Sequence, residues 1–314
     1  MIRWLSIFSL LPLPAFADVP RVITDIAPIH SLTAQVMGDL GQPDLLLPPG
    51  ADPHDFALRP SDAGRLAQAQ LVIWVGEGLT PWLAEPLNTL APQATLFSLL
   101  DVAGWEQREV RDHDEEHDAG HDEGHEEDHD DHGHAQKHDE HDHGDIDPHA
   151  WLDPQVAAVW LDAIAQELGT ADPDNAAIYQ ANATVAVQQL NTLAQGITAQ
   201  LQGLSERRYV LPHDGYQYFE ARFALTAQAT IAGIDARAPG PAQVASLRDQ
   251  IAETNVVCVF SDAEIGDRWA ALITEGTSAK TAVIDGVGRG LDAGPALYGD
   301  LLKRLADQFA ACLD

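Results

Sequence analysis

The run Leu71-Val72-Ile73-Trp74-Val75 carries no polar side chain. A strand without a polar face must be covered on both sides, as in a parallel sheet with helices packed against each surface. Other short β-rich runs fall at 21–24, 45–47 and 94–99, and a second set at 209–211, 225–230, 256–260 and 281–284. Helical patterns lie between them at 29–37, 61–69, 241–254 and 295–312, with Ser61 expected as an N-cap. This alternation predicts an α/β fold of two parallel-sheet lobes, residues 18–171 and 205–314. Between the strand sets, one helix is expected over 154–168, ending at Gly169, and another from Asp172 or Asp174 to about Leu204. A helix of about 30 residues spans about 45 Å, so the segment 172–204 reads as a rigid brace between the lobes.

The charge is concentrated in one place. The formal net charge is -32, and half of it sits in residues 112–147, which hold 17 acidic side chains against one Lys. The same stretch holds 10 of the 14 His. His113, His117, His121, His125 and His129 recur every four residues, followed by His132, His134, His138, His141 and His143. Gly120, Gly124, Gly133 and acidic repulsion oppose a standing helix, so the stretch is expected as a disordered, metal-attracting loop inserted in the first lobe. A solvating acidic insert is the plainer alternative. Nucleic acid and anionic membrane surfaces are poor partners for so acidic a chain.

Residues 1–17 read as a secretory signal peptide: Arg3, an apolar stretch over 4–14, and Ala15-Phe16-Ala17 before Asp18. That stretch is shorter than the roughly 20 residues a membrane crossing needs. A soluble periplasmic protein is expected. Its only Cys, Cys258 and Cys312, then read as a disulfide, with two buried thiols as the alternative.

Outside the insert only His30, His54, His149 and His213 remain. The last three sit in Pro- or Gly-marked loops: Asp52-Pro53-His54-Asp55, Asp147-Pro148-His149-Ala150 and Pro212-His213-Asp214-Gly215. Sites in parallel α/β sheets form at the carboxyl ends of strands, so three imidazoles from three loops could converge there. Three neutral imidazoles suit zinc and leave a fourth position open; copper and nickel fit the donors too, whereas manganese favours more carboxylates. Affinity order alone favours copper, so selectivity must also rest on supply and geometry.

The stretches 50–62 (GADPHDFALRPSD), 71–76 (LVIWVG), 147–154 (DPHAWLDP), 212–219 (PHDGYQYF) and 309–313 (FAACL), with the His-rich insert, resemble the ZnuA-type zinc-binding subunits of bacterial ABC importers. The resemblance covers residues 21–314. It implies two α/β lobes joined by one long helix, with Zn(II) bound between them by His54, His149 and His213. It also implies a Cys258–Cys312 disulfide and a C-terminal carboxylate ligand at Asp285. Some relatives carry Glu immediately before the first His; here that position is Pro53. The fourth ligand is therefore expected to be Asp285 or water. The implied function is capture of zinc in the periplasm and delivery to an inner-membrane ABC permease, by a monomer that is not an enzyme. His30 is expected to serve as a hydrogen-bonding residue, or as an auxiliary metal ligand with the insert. Asp262 and Glu264 follow the run 256–260 as carboxylates supporting the site, or as ordinary loop acids. The rival functions are a zinc hydrolase, for which the G-x-S-x-G pattern is lacking, and a zinc buffer centred on the insert.

Overall fold

A computed structural model of the chain describes residues 19–111 and 146–314. The expected signal peptide and the ten His of the insert lie outside the described residues. The first sheet contains β1 (Val22–Thr24), β2 (Asp44–Leu45), β3 (Leu71–Trp74) and β4 (Thr95–Ser98), in the order β2-β1-β3-β4. The second contains β5 (Tyr209–His213), β6 (Ala229–Ala232), β7 (Cys258–Ser261) and β8 (Lys280–Val283), in the order β6-β5-β7-β8. Every pairing in both is parallel, so the α/β class and the two-lobe architecture hold. The helices are α1 (Ala27–Met37), α2 (Pro60–Leu66), α3 (Ala84–Leu90), α4 (Pro154–Ala171), α5 (Ala176–Leu201), α6 (Gln217–Phe223), α7 (Pro241–Glu253), α8 (Asp267–Thr274) and α9 (Leu297–Leu313). None of these is long and apolar enough to cross a membrane.

Strand alternation divides the second sheet between two cores. Tyr209, Leu211, Cys258 and Phe260 face the main core, whereas Val210 and Val259 face a smaller one with Val244, Leu247 and Ile251 of α7 and Ile273 of α8. The main core is continuous across both lobes, from Val22 of β1 to Leu313 of α9. The helix α5 buries Tyr179, Ala183, Ala186, Leu190, Ile197 and Leu201, a single stripe at helical spacing. It packs on α1, α4 and α9, and α9 also packs on α1. The brace is therefore shared between helices: the chain's last helix returns to the first lobe.

Three local expectations differ from what forms. Ser61 does not cap α2; the helix opens at Pro60, whose fixed φ suits a first turn, and Asp62 Oδ2 accepts the Arg59 N–H at 3.0 Å. Gly169 does not end α4, which runs on to Ala171. A Cβ there would stand 3.0 Å from the Cβ of Ala176, so this glycine lets the ends of α4 and α5 approach. In the run 225–230, only the part from Ala229 enters a strand.

Cys258 of β7 and Cys312 of α9 are disulfide-bonded across 54 residues, as expected from their count and the secretory signal. By loop-closure entropy the bond stabilises the fold by about 4 kcal/mol. Replacing both Cys by Ser lowers the unfolding free energy by about that amount. Denaturant unfolding of parent and double variant, each with and without reductant, measures the difference, and the variant should not respond to reductant.

Candidate metal centre

The strand orders place a crossover between β1 and β3 in one sheet and between β5 and β7 in the other. Such switch points open a crevice at the carboxyl ends of the strands. His213 is the last residue of β5, and the turn carrying Asp262 and Glu264 follows β7 directly. The pairing of β5 with β7 covers only Tyr209 and Val210, while its pairing with β6 continues to His213. The two central strands thus part where the imidazole stands, and Pro212 has no N–H to hold them together there.

Each His is held by its own local device. In the loop from β2 to α2, Asp52 Oδ1 accepts the His54 main-chain N–H at 2.8 Å, and the Trp82 Nε1–H donates to the Pro53 carbonyl at 2.8 Å. Ahead of α4 the tripeptide Asp-Pro-His recurs, and Asp147 Oδ1 accepts the His149 main-chain N–H at 2.9 Å. The same carboxylate also lies 2.9 Å from His149 Nδ1. On the second lobe, Asp262 Oδ2 lies 2.8 Å from His213 Nδ1. A carboxylate at Nδ1 fixes the proton on that nitrogen and turns Nε2 outward as a metal donor.

The three rings converge. Their centroids are 5.3 Å apart for His54 and His149, 5.4 Å for His149 and His213, and 6.3 Å for His54 and His213. One ring nitrogen from each lies within 4.8 Å of those of the other two. His54 Nε2 and His213 Nε2 are buried without a hydrogen-bond partner among the described residues, an arrangement that costs free energy unless an ion fills it. Gly215 leaves the necessary room: a Cβ there would stand 2.2 Å from His213 Nε2 and 3.0 Å from His149 Cδ2.

Two of the remaining expected residues are engaged elsewhere. His30 lies in α1 with Nε2 3.0 Å from the Pro43 carbonyl, as a hydrogen-bonding residue does, and belongs to neither group of metal-capable side chains. Asp285 belongs to neither group as well. Its Oδ1 accepts the Val287 and Gly288 N–H groups, each at 3.0 Å, and Arg304 approaches Oδ2 at 3.8 Å. This carboxylate caps the turn after β8 through Oδ1, while Oδ2 is buried without a hydrogen-bond partner among the described residues. The acid beside the imidazoles is Glu264, with Oε2 3.5 Å from His213 Nε2. Asp147 was missed as a functional residue, although the repeated Asp-Pro-His was the signal for it.

Electrostatics separate the imidazoles. Burial, with the neighbouring His149 and His213, lowers His54 to about 2, so it is neutral and ready to ligate. Burial alone would lower His213 also, but the carboxylates of Glu264 and Asp262 outweigh it and hold the ring at about 9. Burial raises Glu264 from its ordinary value, opposed by His213.

The base of the insert is fastened beside this site. Glu109 and Ile146 form an antiparallel bridge, and the Asp147 N–H donates to the Arg108 carbonyl at 2.8 Å. Arg111 pairs with Asp214, next to His213, and with Glu220 at 3.0 Å.

Comparison with known proteins gives the family and the fold. The family described as zinc-uptake complex component A, periplasmic, matches residues 22–312. The high-affinity zinc uptake system protein ZnuA of Paracoccus denitrificans is 43% identical, over 96% of this chain and 94% of its own length. The protein of the same description from Brucella abortus is 35% identical, over 93% and 91%. A crystal structure of ZnuA superposes with a TM-score of 0.75, at 22% identity, over 94% of this chain and all of that one.

The Gly215 position gives a sharp test of the centre. Gly215→Ala places a methyl group where an ion would sit, so zinc binding is lost while the circular dichroism spectrum stays that of the parent. Titration calorimetry on the two proteins measures it, and parent-like affinity in the variant would move the centre elsewhere.

Proposed function

We propose, since this chain belongs to the ZnuA family of periplasmic zinc-uptake components, that it captures Zn(II) at high affinity in the periplasm and delivers it to an inner-membrane ABC permease. The observation that carries this reading is the convergence of His54, His149 and His213, two of them turned by buried carboxylates so that Nε2 points inward. Imidazole donors at this spacing suit zinc, and the lack of softer thiolate donors, both Cys being in the disulfide, argues against a site built for Cu(I). As a member of this family the chain is a binding protein and not an enzyme.

Within this reading, residues 1–17 export the chain. Residues 18–171 and 205–314 are the two lobes, 172–204 links them, and the protein acts as a monomer without nucleic acid. The His of 112–147 are weaker auxiliary sites, since binding there must order a long stretch of chain. His54 and His149 belong to the first lobe and His213 to the second, so one ion ties the lobes together.

Single replacements test the assignment. His54→Ala, His149→Ala or His213→Ala weakens zinc far beyond the 10–100-fold typical of lost supporting residues, while His30→Ala leaves affinity near that of the parent. Removing 112–147 abolishes weaker sites and retains the tight one. Competition with a chelator of known affinity reads both; loss of the tight site with the insert would favour the buffer.

The pH response has a defined sign. In the metal-free protein His213 is held up to about 9, so zinc must displace its proton, whereas His54, lowered to about 2, has none to lose near neutrality. On account of His213, affinity therefore rises about tenfold per pH unit from about 7 and flattens above about 9. The sign is opposite for metal-free stability. The contribution of protonated His213 is fully present below about 6.5 and lost as pH rises through about 9. The rise in Tm on adding zinc should therefore grow across that window in a thermal-shift series.

A further inference from the structure

Two polar atoms beside the His cluster have no hydrogen-bond partner among the described residues although both are buried: His213 Nε2 and Glu264 Oε2. They stand 3.5 Å apart. A charge-assisted hydrogen bond would draw them to about 2.7–2.9 Å. Two donors on one tetrahedral zinc, at bond lengths near 2.05 Å, are held about 3.4 Å apart by geometry. The observed gap matches the edge of such a tetrahedron better than a hydrogen bond, with Glu264 grouped with His213 and Asp262 and not with all three imidazoles.

Two other carboxylates nearby are committed. Asp262 gives Oδ2 to His213 Nδ1, and its Oδ1 accepts the Glu264 and Ile265 N–H groups at 3.0 Å each. Asp147 is taken by His149 and by the Gln217 amide at 3.3 Å. Asp285 holds two amide N–H groups through Oδ1, and its Oδ2 is buried without a hydrogen-bond partner but faces Arg304 at 3.8 Å, and it is grouped with none of the imidazoles. Glu264 gives up nothing at Oε2, and it lines the same cavity as His149, His213 and Gly215. The Asp262 carboxylate that orients His213 also shapes the turn presenting Glu264, so the two side chains are set by one group.

We infer that Glu264 is the fourth zinc ligand, in the role that Asp285 was expected to fill. This rests on the reading of His54, His149 and His213 as the other three. The donor set is then three imidazoles and one carboxylate, two ligands from each lobe. It closes the coordination sphere, which suits an ion that is carried; a catalytic zinc keeps one position open for water. A buried carboxylate oxygen without a hydrogen bond also gains the cation it needs.

The test uses the full chain with Glu264→Gln, Asp285→Asn and His213→Ala, loaded with Zn(II) for affinity and with Co(II) for its visible spectrum. Glu264→Gln keeps the shape of the side chain and removes its charge. Its zinc affinity should fall by about a hundredfold or more, beyond the range of lost supporting residues. Its Co(II) spectrum should shift on adding azide, which enters the opened position, while the parent spectrum does not respond. Asp285→Asn should match the parent in both. Parent-like affinity in Glu264→Gln would overturn the inference, as would azide sensitivity in Asp285→Asn instead. A weakened but azide-insensitive Glu264→Gln would also overturn it, because Glu264 would then act through another group. Parent-like affinity in His213→Ala would overturn the underlying three-His reading, which the Glu264 result alone does not touch.

Discussion

Two buried carboxylate–imidazole contacts organise this protein: Asp147 with His149 and Asp262 with His213. An imidazole free to rotate offers either nitrogen in any direction, and three such rings seldom meet at one point. Each carboxylate removes that freedom by holding Nδ1. Each also shapes its own backbone: Asp147 accepts the main-chain N–H of His149, and Asp262 accepts those of Glu264 and Ile265. Burial makes these contacts effective, because outside water their attraction is less screened and an unpartnered acceptor is costly. The sheets contribute the location, since both carboxylates and the second-lobe imidazole lie where a strand or helix begins or ends.

The surrounding framework is stiff. Besides the shared apolar core, polar ties join the lobes close to the site. Trp151 Nε1–H donates to the Gly286 carbonyl at 2.8 Å, Arg222 grips Asp153 with two contacts of 2.7 Å, and Ser31 links the Pro295 carbonyl with the Tyr298 N–H. Asp153 also accepts the Gln155 N–H as the N-cap of α4. The helix that follows His149 is thereby clamped by the other lobe.

Much of the fold was legible because the central strands are apolar on both faces, and that property survives in a linear sequence. The edge strands were less so: β2 has only two residues and β8 is largely exposed, so their pairing depends on neighbours. The three His were legible from their loops and their resemblance to a known family. The carboxylates were not. Asp285 and Glu264 both follow a strand of the same sheet, and nothing local says which faces inward. What separates them is position: Glu264 Oε2 lies 3.5 Å from His213 Nε2, while Asp285 Oδ1 caps its own turn and Arg304 stands at Oδ2. Gly169 misled for a similar reason, as its purpose is set by Ala176 on the next helix.

On the proposed ligand set, divided between the lobes, the ion would be a reversible cross-link, and cross-links obey reciprocity. Whatever factor zinc contributes to holding the lobes together, parting them must remove from the affinity for zinc. A receiving protein that lowers the affinity a thousandfold must therefore supply about 4 kcal/mol of preference for the parted arrangement. The Trp151, Arg222 and Ser31 ties cross the same boundary, and any of them broken in that motion adds to the demand. Tight capture and easy unloading are thus a single quantity seen from two sides, set by how strongly the partner's surface favours the open form.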